Sequence, residues 1–344
     1  MKTKVAINGF GRIGRNVFKV LFERDDVEVV AINDLTDNKT LAHLLKYDTN
    51  YGTYQRSVSA NDDGITVDEH SITILSERDP SKLPWGDLGV DVVIESTGFF
   101  VNPSDAKMHV DAGAKKVIIS APAKGESADD AHTMVLGVND DTLNEAGDII
   151  SNASCTTNCV SPVAAVMHNT FGVEKAMMTT VHSYTADQSL QDGPHKDLRR
   201  ARAAALNIVP TSSGATIATA KVIPELEGIF DGMAIRVPTS VGSLTDFTFI
   251  TKRDTTEEEV IQAFKDACQQ PFYQGIMECT DDPIVSSDIK GNSHSAIVDT
   301  TLTKVTGGNM VKVIAWYDNE WGYSNRLAEL AADTGKILHK KHEG

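Results

Sequence analysis

The stretch "KVAINGFGRIGRNVFKVLFERDDVEVVAIND" (4–34) leaves few folds open. "KVAINGF" (4–10) is a short, largely apolar run that reads as a buried strand. "RIGRNVFKVLFER" (12–24) repeats apolar residues at Ile13, Val17, Val20 and Leu21, which is helical spacing. "VEVVAIND" (27–34) is a second buried strand. Gly9, Gly11 and Gly14 form G-x-G-x-x-G between the first strand and the helix, the context in which that motif carries meaning. The glycines permit a tight turn, close approach of backbone to a pyrophosphate, and close helix–strand packing. Backbone N–H groups at the helix start then face the phosphates. Asp34 ends the second strand, where a carboxylate accepts hydrogen bonds from ribose hydroxyls and repels a 2′-phosphate. The expected cofactor is therefore NAD rather than NADP.

Further alternation follows. "NKTLAHLLKYD" (38–48) is helical in pattern, and "DVVIESTGFF" (91–100) and "KKVIISAPA" (115–123) are β-rich. Strands alternating with helices predict a doubly wound, mostly parallel sheet covered on both faces. The pattern changes after about residue 170, where "EKAMMTTVHSY", "GMAIRVPT" and "LTDFTFITKR" are β-prone. "HSAIVDTTLTKV" and "MVKVIAWYD" flank the turn "TGGN" and predict a hairpin. This half reads as an α+β domain with a mainly antiparallel or mixed sheet. "SNRLAELAADTGKILHKK" (324–341) is an amphipathic helix with Leu327 and Leu330 on one face.

A length of 344 residues suits two domains. A net charge of −16 argues against a general nucleic-acid or anionic-membrane binder. "HKDLRRARAA" (195–204) is a local basic patch, whose plainest reading is a solvated helix face. The start "MKTKVAINGFG" has no apolar signal region, and no run reaches the 18 or so apolar residues of a membrane helix. With four cysteines in all, a reducing cytoplasm is expected.

"SNASCTTNC" (151–159) holds two of those cysteines. Ser, Asn and Thr precede an apolar run at helical spacing (Val160, Val163, Ala164, Met167), so a loop enters a helix here. Cys155 falls near the helix start, where negative charge is favoured and a thiolate is expected. Cys159 falls one turn further in and is expected to be buried. A disulfide between them is disfavoured, because residues four apart on a helix hold their Cβ atoms about 5–6 Å apart and a disulfide needs about 3.5–4.5 Å. Zinc is disfavoured because no second Cys/His pair occurs at ligand spacing; Cys268 and Cys279 stand isolated in the sequence. His182, in "MTTVHSYTADQ" (178–188), ends a β-run and enters a polar loop, where a rigid element can present an imidazole. A lone histidine there is more often structural, so spacing leaves its role open.

Taken together, "INGFGRIGR", "NDLTD", "ESTG", "SNASCTTNC", "HSYT" with "DQ", "HKDLRRARAA" and "WYDNEWGYSNR" resemble the phosphorylating glyceraldehyde-3-phosphate dehydrogenases over essentially the whole chain. The resemblance implies an NAD-binding domain of residues 1–154 joined by the final helix, 319–344, and a catalytic domain of 155–318. It implies oxidation of D-glyceraldehyde 3-phosphate with NAD and inorganic phosphate, with Cys155 as nucleophile and His182 as base. It places the substrate phosphate at Thr185 and Arg236. It places the attacking phosphate at Ser154, Thr156, Ser213 and Gly214, with Arg200 reaching toward it. Cofactor contacts are implied for Gly9, Gly11, Arg12, Ile13, Asp34, Arg78, Thr97, Ser120, Asn319 and Tyr323. It also implies a homotetramer, with no metal.

Three departures stand out. Ser213 replaces the usual threonine but keeps the hydroxyl, and Ala186 replaces a common asparagine. Gly193-Pro194 stands where NAD-preferring members show Leu-Pro; Pro194 agrees with NAD, and Gly193 leaves relaxed use of NADP open. The rival readings are erythrose-4-phosphate dehydrogenase, with the same Cys–His chemistry, an aspartate-semialdehyde-type enzyme, which Asp34 opposes, and a non-catalytic binding protein on the same fold.

Overall fold

A computed structural model describes residues 1–342. The chain divides into two compact units. The first contains residues 1–134, 140–153 and the chain from Ser324 onward; the second contains 135–139 and 154–323.

The first unit is built on a nine-stranded sheet. Thr3–Asn8 lies near its middle, flanked by Val27–Asn33 and Val92–Glu95, both parallel to it. Lys116–Ile119, Ile149–Ser151 and His132–Thr133 extend the parallel run on one side. His70–Leu75 extends it on the other, and Gly64–Val67 and Val58–Ala60 add an antiparallel edge. The central strands are apolar almost throughout because helices cover the sheet; Val5, Ala6, Ile7, Val92, Val93 and Ile94 are fully buried. The first crossover is the helix Arg12–Phe22. A Cβ on Gly14 would lie 2.1 Å from the Gly9 carbonyl oxygen, so only glycine lets this helix approach the turn that closely.

The last helix, Trp321–His342, buries Leu327 and Leu330 on the first unit. Its Gly335 sits where any side chain would strike Thr3. Two corrections to the expected boundaries follow. Residues 319–323 belong to the second unit, because Asn319 Oδ1 accepts hydrogen bonds from Gly242 N and Ser243 Oγ. Residues 135–139 also join it, since Val138 packs on its core and Gly137 fits against Ile276. Residues 343 and 344 lie outside the described residues.

The second unit carries a seven-stranded mixed sheet. Val173–Ser183 pairs parallel with Phe230–Val237 and antiparallel with Ser243–Thr251. The expected hairpin is Ala296–Thr306 with Met310–Tyr317, antiparallel about Gly307 and Gly308, both at positive φ. The helix Cys155–Phe171 packs on this sheet, with Cys159, Val160, Val163, Ala164 and Met167 in the core. Among the described residues no helix is long and apolar enough to cross a membrane.

Candidate active site

In the first unit, Gly9, Gly11, Asp34, Arg78 and Thr97 line one cavity of about 520 Å³. Gly9 turns the chain at φ +92°, and a Cβ there would meet Thr97 N at 2.7 Å. Gly11 differs: a Cβ would meet nothing of the chain within 4 Å, because the residue faces the open cavity. Space next to bare backbone at a helix start is what a pyrophosphate requires. Asp34 is held rigidly, its Oδ2 accepting from Phe10 N (2.8 Å) and its Oδ1 from Thr36 N (2.9 Å). These residues fit a dinucleotide. Ile13 and Ser120 do not line this cavity, and the Arg12 side chain is committed elsewhere, its Nη1 donating to Asp48 at 2.6 Å.

The cavity wall rests on a buried network absent from the sequence reading. Glu95, 1 % exposed, accepts from Thr97 N, Asn8 Nδ2 and His109 Nε2. Trp85 Nε1 donates to His109 Nδ1 at 2.9 Å, which assigns the ring proton to Nε2. Asn33 Nδ2 donates to Asn8 Oδ1 at 2.7 Å. "ESTG" contains Glu95 and Thr97, but Asn8 and His109 come from a distant strand and a helix.

In the second unit, Ser154 is the N-cap of the Cys155–Phe171 helix, its Oγ accepting from Thr157 N at 3.0 Å. Cys155 is thus the first helical residue. Its Sγ lies 3.4 Å from His182 Nε2. His182 is 2 % exposed and meets the Tyr317 ring edge-on. Tyr317 is itself tied down, its hydroxyl bonding Thr180 Oγ1 (2.8 Å) and Thr156 Oγ1 (3.0 Å).

The tautomer follows from the other ring nitrogen. His182 Nδ1 lies 2.6 Å from Ser183 O and 2.9 Å from Arg236 Nη1. It cannot donate to one and accept from the other, and the shorter contact assigns the proton to Nδ1. The Nε2 lone pair then faces Sγ. Arg236 Nη1 has Ser183 O and Thr185 Oγ1 as acceptors instead, each at 3.1 Å.

Burial, followed by the Arg236 charge, pulls His182 down to about 3, so the ring is neutral. Burial also pushes the Cys155 thiol up, although Arg236 and the Thr156 hydrogen bonds work the other way. Desolvation therefore opposes the negative charge that the helix start favours. Moving the proton from Sγ to Nε2 leaves the net charge of the pair unchanged. The ion pair is therefore reached by internal transfer and not by titration against solvent. Cys159 is fully buried and its thiol is pushed far up by burial.

The anion residues are only partly brought together. Arg236, Thr185 and His182 form one cluster. Arg236 Nε is buried without a hydrogen-bond partner among the described residues, a donor that a substrate anion would satisfy. Arg200 joins through Asp187, with Nη1 2.5 Å from its Oδ2, and Asp187 also holds Thr185. Burial opposes the Asp187 charge, but Thr185, Arg200 and Arg236 hold its carboxyl below the usual range. Arg200 Nε donates to Thr211 Oγ1, which donates to Asp197. Neither Asp187 nor Thr211 was read from the sequence; a polar loop after His182 was the only signal. Ser213 Oγ accepts from Ala215 N, with Gly214 exposed ahead of that helix. The expectation for Thr156 is corrected: its hydroxyl points inward to Tyr317 and is not displayed to a phosphate. Asn319 and Tyr323 lie in the second unit, Asn319 with its carbonyl engaged and its amide N–H₂ left as a donor.

Residues 3–103 match the family described as "Glyceraldehyde 3-phosphate dehydrogenase, NAD binding domain", and 154–319 match its C-terminal domain. The chain belongs to the glyceraldehyde-3-phosphate dehydrogenase family. Full-length relatives agree. The glyceraldehyde-3-phosphate dehydrogenase of Streptomyces coelicolor is 55% identical over 340 residues, covering 98% of this chain and 100% of that protein. That of Borreliella burgdorferi is 55% identical over 334 residues, covering 95% and 98%. That of Mycolicibacterium smegmatis is 55% identical over 346 residues, covering 98% and 100%. The glyceraldehyde-3-phosphate dehydrogenase fold of this chain is thus an NAD-dependent oxidoreductase on a mixed α/β frame, and its cofactor is NAD.

Proposed function

We propose that the chain oxidises D-glyceraldehyde 3-phosphate to 1,3-bisphosphoglycerate, reversibly, with inorganic phosphate as acyl acceptor. The observation that carries this reading is the 3.4 Å contact between Cys155 Sγ and a neutral, correctly tautomeric His182 beside an arginine with an unpaired buried N–H. Thr185 and Arg236 receive the substrate phosphate, with Arg200 held toward them by Asp187. Arginine's planar fork suits phosphate oxygens. His182 takes the thiol proton as Sγ attacks the aldehyde carbon and returns it to the developing oxyanion, giving a thiohemiacetal. N–H groups at the start of the Cys155 helix stabilise that oxyanion. His182 then takes the hydroxyl proton as hydride leaves the carbon, and a thioester on Cys155 results. Bound NAD supplies the hydride acceptor. Phosphate, met by Ser154, Arg200, Ser213, Gly214 and the Thr156 backbone, attacks the thioester. Sγ departs and recovers its proton from His182, and the phosphate's own proton passes to solvent.

On the cofactor side, Asp34 takes the ribose hydroxyls. Gly9, Gly11 and the backbone of Arg12 and Ile13 take the pyrophosphate. Arg78 and Thr97 line the same cavity as Asp34, Ser120 is a further cofactor contact, and Asn319 with Tyr323 orients the nicotinamide. A steady-state assay with glyceraldehyde 3-phosphate, varying NAD, NADP and phosphate, tests the proposal. NAD reduction should require phosphate for sustained turnover. Equal rates without phosphate, or faster turnover of erythrose 4-phosphate, would refute it.

The enzyme is further proposed to be a cytoplasmic homotetramer. Leu198 and Leu206 are each 81 % exposed in the isolated chain, with Ile208 also exposed, and apolar side chains of this size seek a partner surface. A monomeric mass by light scattering would remove the assembly from the proposal.

A further inference from the structure

Cys268 and Cys279, isolated in the sequence, are neighbours in the structure. Cys268 is the last residue of the helix Glu257–Cys268, and Cys279 lies on the edge strand Met277–Thr280. Their sulfurs are 3.3 Å apart, close enough to share a hydrogen bond. Both are half-buried and line an open cavity of about 640 Å³ together with Lys265, Glu278 and His294. Neither touches the Cys155 site. We propose that Cys268 and Cys279 are a second reactive thiol site, a dithiol that a hydroperoxide converts to a reversible disulfide.

Three features of the pair support this. The shared hydrogen bond favours loss of one proton: it holds Cys268 below the usual thiol value, and it pushes Cys279 above it. The cavity admits a small oxidant to both sulfurs. The sulfurs must close by only about 1.3 Å to reach the ~2.05 Å of a disulfide, a step within the range of side-chain rotation. The chemistry balances. The Cys268 thiolate attacks one peroxide oxygen, the O–O bond breaks, and an alcohol (or water) leaves with a proton from solvent, giving a sulfenic acid. Cys279 sulfur then attacks that sulfenic sulfur, the S–O bond breaks, and water leaves. The dithiol has lost two electrons and the peroxide has gained them. A lone sulfenic acid proceeds to irreversible oxidation, whereas a neighbouring thiol intercepts it.

Both cysteines fall in a single tryptic peptide, residues 266–290. Full-length protein is treated with equimolar hydrogen peroxide, alkylated with iodoacetamide, digested and weighed, in parallel with Cys155→Ser. The expected peptide is two hydrogens lighter than its reduced form and carries no alkyl group in both proteins. Dithiothreitol before alkylation should return it to the doubly alkylated form. In Cys279→Ser treated with several equivalents of peroxide, enough for the two oxidations a sulfinic acid requires, Cys268 should instead accumulate sulfinic acid. A peptide alkylated at both cysteines after peroxide, or oxidised only when Cys155 is present, would overturn the proposal. So would a Cys279→Ser protein whose Cys268 is oxidised no further than in the parent.

Discussion

Replacing Glu95 with glutamine keeps the side chain's shape and exchanges one acceptor oxygen for an N–H₂ donor. Two donors converge on each oxygen. Thr97 N (2.8 Å) and Thr97 Oγ1 (2.5 Å) reach Oε1, while Asn8 Nδ2 (2.6 Å) and His109 Nε2 (3.1 Å) reach Oε2. Whichever way the amide turns, its N–H₂ meets donors. Toward His109 there is no escape by tautomer, because a proton on Nδ1 would face the Trp85 N–H. Toward Thr97 the hydroxyl rotates to accept, and the Thr97 backbone N–H loses its partner. That lower-cost arrangement forfeits a charge-assisted hydrogen bond and leaves a half-buried donor without its partner, about 2–4 kcal/mol together. The first unit has about 170 residues, so its melting temperature should fall by roughly 5–15 °C. Thr97 also lines the dinucleotide cavity, so NAD should bind about tenfold more weakly for each 1.4 kcal/mol passed to the site. Thermal unfolding followed by fluorimetry and NAD titration of intrinsic fluorescence measure the two effects. A melting temperature within 2 °C of the parent (about 1 kcal/mol or less), together with unchanged NAD affinity, would refute the role of the network.

Other outcomes follow from the same geometry. His182→Asn should lower turnover at least about a hundredfold and leave NAD affinity unchanged; equal turnover would remove His182 from the mechanism. The lowered His182 value also sets a stability slope. The unfolded ring binds a proton below about 6.5 and the folded ring only near 3, so this stabilisation is complete above about 6.5 and is lost as pH falls toward 3. His182→Asn should flatten that acid limb, which urea midpoints between those pH values would reveal. Gly11→Ala should fold normally yet bind NAD poorly, whereas Gly14→Ala should fail to fold, its Cβ lying 2.1 Å from the Gly9 oxygen. The reverse ranking in solubility and NAD titration would overturn this view of the turn. Iodoacetamide at neutral pH should label Cys155 before the buried Cys159 and abolish activity, and peptide mapping would expose the opposite order.

The legible parts of this chain are those where neighbours in sequence are neighbours in space. The glycine turn, the helix after it and Asp34 lie within one strand–helix–strand unit, so spacing alone assembled the cavity floor. The hairpin around Gly307 and Gly308 was legible for the same reason. Thr156 was misjudged because adjacent helical residues point about 100° apart: with Cys155 aimed at His182, Thr156 is turned inward to Tyr317. Asp187, Thr211 and the Glu95 network were invisible because their partners lie on elements that only the fold brings near.

Cysteine chemistry shows how far such local signals reach. A helix start signals negative charge, and it led to a thiolate at Cys155. The opposing desolvation depends on strands and loops distant in sequence, and it pushes the thiol up. The local signal had the right sign for one contribution and no access to the other. The consequence is mechanistic: His182 Nε2, 3.4 Å from Sγ, is the group placed to receive the Cys155 proton as the sulfur attacks. Cys268 and Cys279 are the converse case. No local signal marks either one, yet the fold places their sulfurs in contact. Reactivity in this chain therefore follows from which groups the fold places against each sulfur and not from the residues beside it in sequence.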